Sequence, residues 1–110
     1  MPRFLTPDVI LIRYPFSDLS ASKVRPAVVV NAPHLSHDLL IVPLTSRTTG
    51  LLAGEFVLSA WPEAGLNLPT AVKRGLYTIE ETLTLKHLGH LNQTDTVQLE
   101  QSLRAWLGLA

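Results

Sequence analysis

Three apolar, β-branched runs follow one another in the first 45 residues with no helical segment between them, and this constrains the fold more than any other feature. The first is Val9-Ile10-Leu11-Ile12. The second is Ala27-Val28-Val29-Val30, entered through Arg25-Pro26. The third is Leu39-Leu40-Ile41-Val42, continuing into Pro43-Leu44. Runs of this length and composition, bounded by proline, serine, asparagine and aspartate, read as buried strands. Strands joined without a helical crossover pair antiparallel. Strands are therefore expected over 9–12, 25–31 and 38–44. Pro26 has no N–H to give a ladder, which assigns it to the first positions of its strand.

The rest of the chain supplies shorter pieces. Residues 55–58 alternate like a strand, and 59–65 read as one helical turn stopped by Gly65. Residues 70–72 and 76–79 are further strand candidates around Gly75. Only the C-terminus carries a long helical pattern. Asn92 is its expected N-cap, Asp95 echoes a capping box, and Leu99, Leu103, Trp106 and Leu107 recur at helical spacing. The sum is a mainly β fold: a small, partly open antiparallel barrel with a terminal helix packed on it. At 110 residues it reads as a single domain over 1–110, and 46% apolar content suffices for a core without disulfides or metal.

Composition removes several function classes. The chain has no cysteine, which excludes a thiol nucleophile, a disulfide scaffold and cysteine-ligated zinc. Nine Lys and Arg balance nine Asp and Glu, so there is no basic field over the whole protein. Nucleic acid would have to be held by a local patch. No apolar run is long enough to span a bilayer, and the first residues lack the plan of a signal peptide. A cytoplasmic protein without a membrane partner is expected.

Against that background, Arg25 and the pair Thr45-Ser46 stand out. They place an arginine at the mouth of one buried strand and two hydroxyls at the end of another. A guanidinium is always charged, and its planar fork matches phosphate oxygens, so the combination can hold a phosphodiester. The plainer alternatives are an ion pair of Arg25 with Asp8 or Asp18, and hydroxyls that cap a turn. The loop before Arg25 contains Phe16, Ser17 and Lys23. Arg47 follows Ser46, and Lys73-Arg74 sits beside Gly75. An aromatic ring among cations is how single strands are gripped without duplex readout. His34 and His37 share one loop and titrate near neutrality, which makes them candidates for proton transfer. Their spacing fits a metal pair on paper. With Asp38 the only nearby carboxylate, no metal site and no cofactor is expected.

The chain resembles the MazF/PemK family of toxin endoribonucleases. The likeness lies in Asp8-Val9-Ile10-Leu11-Ile12-Arg13, Pro15-Phe16-Ser17-Asp18, Lys23-Val24-Arg25-Pro26-Ala27-Val28-Val29-Val30 and Val42-Pro43-Leu44-Thr45-Ser46. It continues through Thr78-Ile79-Glu80 and Leu88-Gly89-His90-Leu91 to the final helix. The resemblance implies an SH3-like, partly open β-barrel of the CcdB/MazF kind that forms homodimers. It implies cleavage of single-stranded RNA without metal, often at short motifs, and inhibition by a cognate antitoxin whose extended segment covers the RNA groove. By motif position the family's catalytic arginine falls on Arg25 and its catalytic hydroxyl on Thr45. Ser46, His34 and His37 are supporting candidates, and Phe16, Ser17, Lys23, Arg47 and Lys73 are candidates for RNA binding.

One departure matters. Many relatives carry Arg-x-Asp where this chain reads Val72-Lys73-Arg74-Gly75, so an aspartate general base is not expected. RNA brings its own nucleophile, the 2′-hydroxyl, and the protein need only align it, offset charge and move protons. Two rival readings share the fold: a CcdB-like poison that binds gyrase, and a relative that binds RNA or antitoxin without cutting.

Overall fold

The three apolar runs become the longest strands of one sheet: β1 (Asp8–Tyr14), β2 (Lys23–Val29) and β3 (Leu39–Thr45). The computed structural model describes residues 4–14 and 23–110. Four shorter segments complete the sheet: β4 (Phe56–Val57), β5 (Ala71–Val72), β6 (Tyr77–Ile79) and β7 (Thr84–His90). A 3₁₀ turn over Glu81–Leu83 leads into β7, and the chain ends in α1 (Gln93–Leu107). Every pairing is antiparallel, as the absence of helical crossovers requires. The strands run β4-β5-β3-β2-β1-β7, with β6 off that path on β3. Among the described residues β4 and β7 do not pair, so the barrel is partly open.

Side-chain alternation divides the interior in two. Val9, Val28, Val42, Leu44 and Val72 face one core with Phe56, Leu58, Leu91 and Leu99. Ile10, Ile12, Ala27, Val29, Leu39, Ile41 and Ile79 face the other. Because the middle strands are covered on both faces, their sequences read as unbroken apolar runs rather than as alternation.

The structure corrects the sequence reading in four places. β7 went unread because it is an edge strand: Leu85, Lys86, His87 and His90 are exposed, so no buried face marks it. Residues 59–65 form turns rather than a helix, although Ala64 N–H does donate to the Ala60 carbonyl at 3.2 Å. Gly65 ends them as expected, with φ +84°, and a Cβ there would run into the Leu88 carbonyl. In α1, Leu99 is buried and Leu103 and Trp106 pack against the first core, but Leu107 is exposed.

The helix start also differs from a capping box. Asn92 Oδ1 accepts from Asp95 N–H at 2.8 Å, a regular N-cap. The Asp95 carboxylate, however, does not turn back to Asn92. It is 1% exposed and accepts from Ser59 N–H at 3.0 and 3.1 Å and from Ala60 N–H at 3.3 Å. It thereby fastens α1 to the turn after β4. No helix of the described residues is long and apolar enough to cross a membrane.

Candidate active site

Two prolines shape the centre of the site. The β2–β3 ladder runs Val29↔Ile41, Val28↔Val42 and Ala27↔Pro43 and then stops. Pro26 has no N–H to extend it to Leu44, while Pro43 faces the other way, its carbonyl accepting from Lys73 N–H at 3.0 Å. Continued by one more step on the same face, that register sets Arg25 across from Thr45. β2 remains paired to β1 there, Ile12↔Arg25, while β3 turns to β5 through Thr45↔Ala71. The two strands part, and their ends carry the arginine and the hydroxyl over a gap.

Arg25 and Thr45 together line two grooves. One, of about 550 Å³, lies on the side of the first core and includes Leu11, Pro26, Ser46, Leu66 and Lys86. The other, of about 510 Å³, includes Lys23, Pro43, Lys73, Tyr14 and Tyr77, whose rings pack on the second core. A smaller depression of about 220 Å³ extends from Thr45 past Arg47, Leu52, Glu55 and Lys73. Among the described residues, Lys23, Arg25, Arg47, Lys73 and Lys86, five of the nine cations of the chain, line these grooves, against one carboxylate, Glu55. A neutral protein has a locally basic face, the arrangement phosphate binding needs.

The polar groups leave room for a ligand. Arg25 is exposed, and its Nη1 donates to the Val24 carbonyl at 3.1 Å. Among the described residues no carboxylate pairs with it. Asp8 lies 3.4 Å from His87 Nε2 and accepts from Leu5 N–H at 3.2 Å, while Asp18 lies outside the described residues. Thr45 Oγ1 accepts from Arg47 N–H at 3.1 Å. It therefore caps a turn, and its own O–H remains a donor for the groove. Ser46 stands exposed beside it.

Other candidates fall elsewhere. His34 and His37 are exposed in the β2–β3 loop, at the opposite end of both strands from Arg25 and Thr45. At roughly 3.3 Å per residue, the four steps from Arg25 to Val29 alone separate them by about 13 Å. His34 Nδ1 accepts from Ser36 N–H at 3.0 Å, and neither histidine lines a groove with Arg25. Nearness in sequence misled here because an antiparallel pair puts its loop and its free ends at opposite poles. Among the described residues no three His, Asp or Glu side chains cluster to hold a metal ion. Phe16 and Ser17 lie outside the described residues.

Four groove residues escaped the sequence reading. Lys86 lies on the unread strand β7. Tyr14 ends β1 and pairs with Lys23, and Tyr77 stands opposite Ile41. Their rings meet edge-on with centroids 6.4 Å apart. Burial, then the charge and hydrogen bond of Tyr77, push the Tyr14 phenol up from its ordinary value, so it stays neutral at physiological pH. The fourth is Glu55, which the Phe56↔Val72 register sets across from Lys73. Hydrogen bonds from Arg74 N–H and Leu52 N–H hold its pKa below the ordinary value; burial opposes them, and the charges of Lys73 and Arg47 add smaller lowering effects.

A depressed carboxylate stabilises the fold above the ordinary glutamate value, near 4.5, and loses that contribution as pH falls through its lower folded value. Urea unfolding between pH 7 and pH 3 is expected to show Glu55→Gln losing less stability on acidification than the parent. Equal losses in the two proteins would remove Glu55 from the acid response.

Comparisons with known proteins agree with the fold. A family described as "PemK-like, MazF-like toxin of type II toxin-antitoxin system" matches residues 7–107. The Mycobacterium tuberculosis toxin MazF-mt6 is similar in structure, with TM-score 0.74 and 22% identity over 94% of this chain and 98% of that one. An endoribonuclease in complex with its cognate antitoxin, from a mycobacterial species, gives TM-score 0.77 and 17% identity over 96% of each chain. A MazE-MazF complex from Deinococcus radiodurans gives TM-score 0.74 and 19% identity over 100% of each. A search of curated protein sequences gives no match.

Proposed function

Because the chain belongs to the PemK-like, MazF-like family of toxins of type II toxin–antitoxin systems, we propose that it is a metal-independent, sequence-selective endoribonuclease acting on single-stranded RNA. The observation that carries this reading is that Arg25 and Thr45 line the same two grooves where the β2–β3 ladder ends at Pro26. The relatives' description as endoribonucleases supports the same chemistry.

In the reaction the RNA 2′-hydroxyl oxygen bonds to the adjacent phosphorus, and the bond from phosphorus to the 5′-oxygen breaks. The products are a 2′,3′-cyclic phosphate and a 5′-hydroxyl end. Arg25 offsets the charge that builds on the non-bridging oxygens, with two parallel N–H donors. The Thr45 O–H donates to one of the same oxygens, and Ser46 lies beside it as a second donor. Arginine is a poor base, because its guanidinium stays protonated in proteins. With His34 and His37 at the far end of the strands, water takes the proton of the attacking 2′-hydroxyl and water returns one to the leaving 5′-oxygen. The strand runs through the grooves on both sides of Arg25, its phosphates near Lys23, Arg47, Lys73 and Lys86 and a base against Tyr14 and Tyr77. The protein acts as a homodimer in the cytoplasm. A cognate antitoxin silences it by laying an acidic extended segment in the basic grooves.

The test is cleavage of a long single-stranded RNA in EDTA, with the ends of the fragments sequenced. Discrete fragments with 5′-hydroxyl ends are expected. A substrate with one 2′-deoxy residue at the scissile position should resist cutting, because it lacks the nucleophile. Cleavage of that substrate would exclude the mechanism. Intact RNA at high enzyme concentration would favour the gyrase-binding or binding-only alternatives.

A further inference from the structure

The one carboxylate among the described residues that line the grooves is the least expected part of the site. A negative charge in the wall opposes phosphate binding, yet Glu55 is built in with care. Its Oε1 accepts from Leu52 N–H at 2.7 Å, and its Oε2 accepts from Arg74 N–H at 2.8 Å. The first bond reaches the loop that carries Arg47; the second reaches the turn that carries Lys73. Glu55 N–H also donates to the Leu52 carbonyl at 2.9 Å, which closes a tight turn.

That turn is anchored from behind by the terminal helix. Ser102 Oγ donates to the Gly54 carbonyl at 2.7 Å, and Trp106 Nε1 donates to the Ala53 carbonyl at 3.0 Å. Gly54 has φ +86°, and a Cβ there would strike the Trp106 indole. On the groove side, Lys73 N–H continues the ladder to the Pro43 carbonyl at 3.0 Å, two residues from Thr45. A connected frame therefore runs from α1 through Glu55 to both loop cations.

We infer that Glu55 is a positioning residue of this site: its carboxylate clamps the loop of Arg47 to the turn of Lys73 and fixes where both cations stand beside Thr45. The inference rests on the endoribonuclease reading above. Displacing a binding group by an ångström costs rate even when the reacting groups are intact. The clamp and the charge have opposite effects on RNA, which makes them separable.

Two variants and two readouts test it. Glu55→Gln removes the charge and turns an amide N–H toward one of the two backbone donors. Glu55→Asp keeps the charge but is too short to span both loops. Both are expected to lower kcat about tenfold on single-stranded RNA, through misplacement of the cations. Only Glu55→Gln should also lower KM, about threefold, because a repulsive charge has gone from the phosphate path. In the free proteins, amide hydrogen exchange at Leu52 and Arg74 should speed up in both variants while the β1–β2 ladder stays protected. Parental kcat in both variants, or unchanged exchange at those amides, would overturn the clamp. A changed cut motif at parental kcat would also overturn it, since Glu55 would then be reading a base. If the parent protein itself leaves RNA intact, the endoribonuclease reading fails, and the exchange readout still decides the clamp.

Discussion

Arg25→Ala is expected to lower kcat on single-stranded RNA by about 10³-fold, the scale seen when a preorganised donor to a developing anion is removed. The protein should still fold. Arg25 is exposed, its described hydrogen bond goes only to the carbonyl of its neighbour Val24, and the β1–β2 pairing around it is made by backbone. Arg25→Lys should fall between the two, because an ammonium keeps the charge but cannot offer two parallel donors to one phosphate. Steady-state cleavage of a fluorogenic RNA, with circular dichroism as the folding control, measures both. An Arg25→Ala protein that cuts within a factor of a few of the parent would sink the assignment.

Asp95→Ala is expected to be the most damaging change away from the grooves. The carboxylate is almost fully buried and satisfies the N–H groups of Ser59 and Ala60. Alanine leaves both donors of this part-buried contact without their charged acceptor, at a cost of about 3 kcal/mol. In a domain of this size that lowers Tm by about 15 °C. Asn92→Ala removes only the N-cap acceptor and should cost about 1 kcal/mol. Thermal melts of the two variants beside the parent decide the matter. If Asp95→Ala melts no lower than Asn92→Ala, the tie between helix and turn contributes little.

Both predictions concern residues visible in the sequence, but for different reasons. Arg25 and Thr45 could be singled out because each sits where an apolar run meets a polar loop, and because Pro26 and Pro43 mark those run ends. Asp95 looked like a local cap, since three-residue spacing at a helix start suggests a local partner. Its actual partners lie 35 and 36 residues away. Glu55 carried no signal of its own. It became notable only when the β4–β5 register set it across from Lys73 and two loops offered it their N–H groups. The same holds for Tyr77, whose place in a groove follows from its pairing with Ile41.

What the sequence determined by itself is the local and periodic part of this protein. The buried strands, the helix with its Asn92 cap, the stop at Gly65, the absence of thiol chemistry and the two strand-end groups all follow from residue type and short-range spacing. What only the tertiary structure decided is which of those groups meet. Antiparallel pairing sent His34 and His37 to the pole opposite Arg25, brought Lys86 in on an edge strand with no buried face, and gathered five cations around one gap in a chain of zero net charge. Charge and hydrogen-bonding capacity belong to single residues and can be read along the chain. Distance between them is set by register and by where a ladder ends, and in this chain Pro26 ends it beside the site.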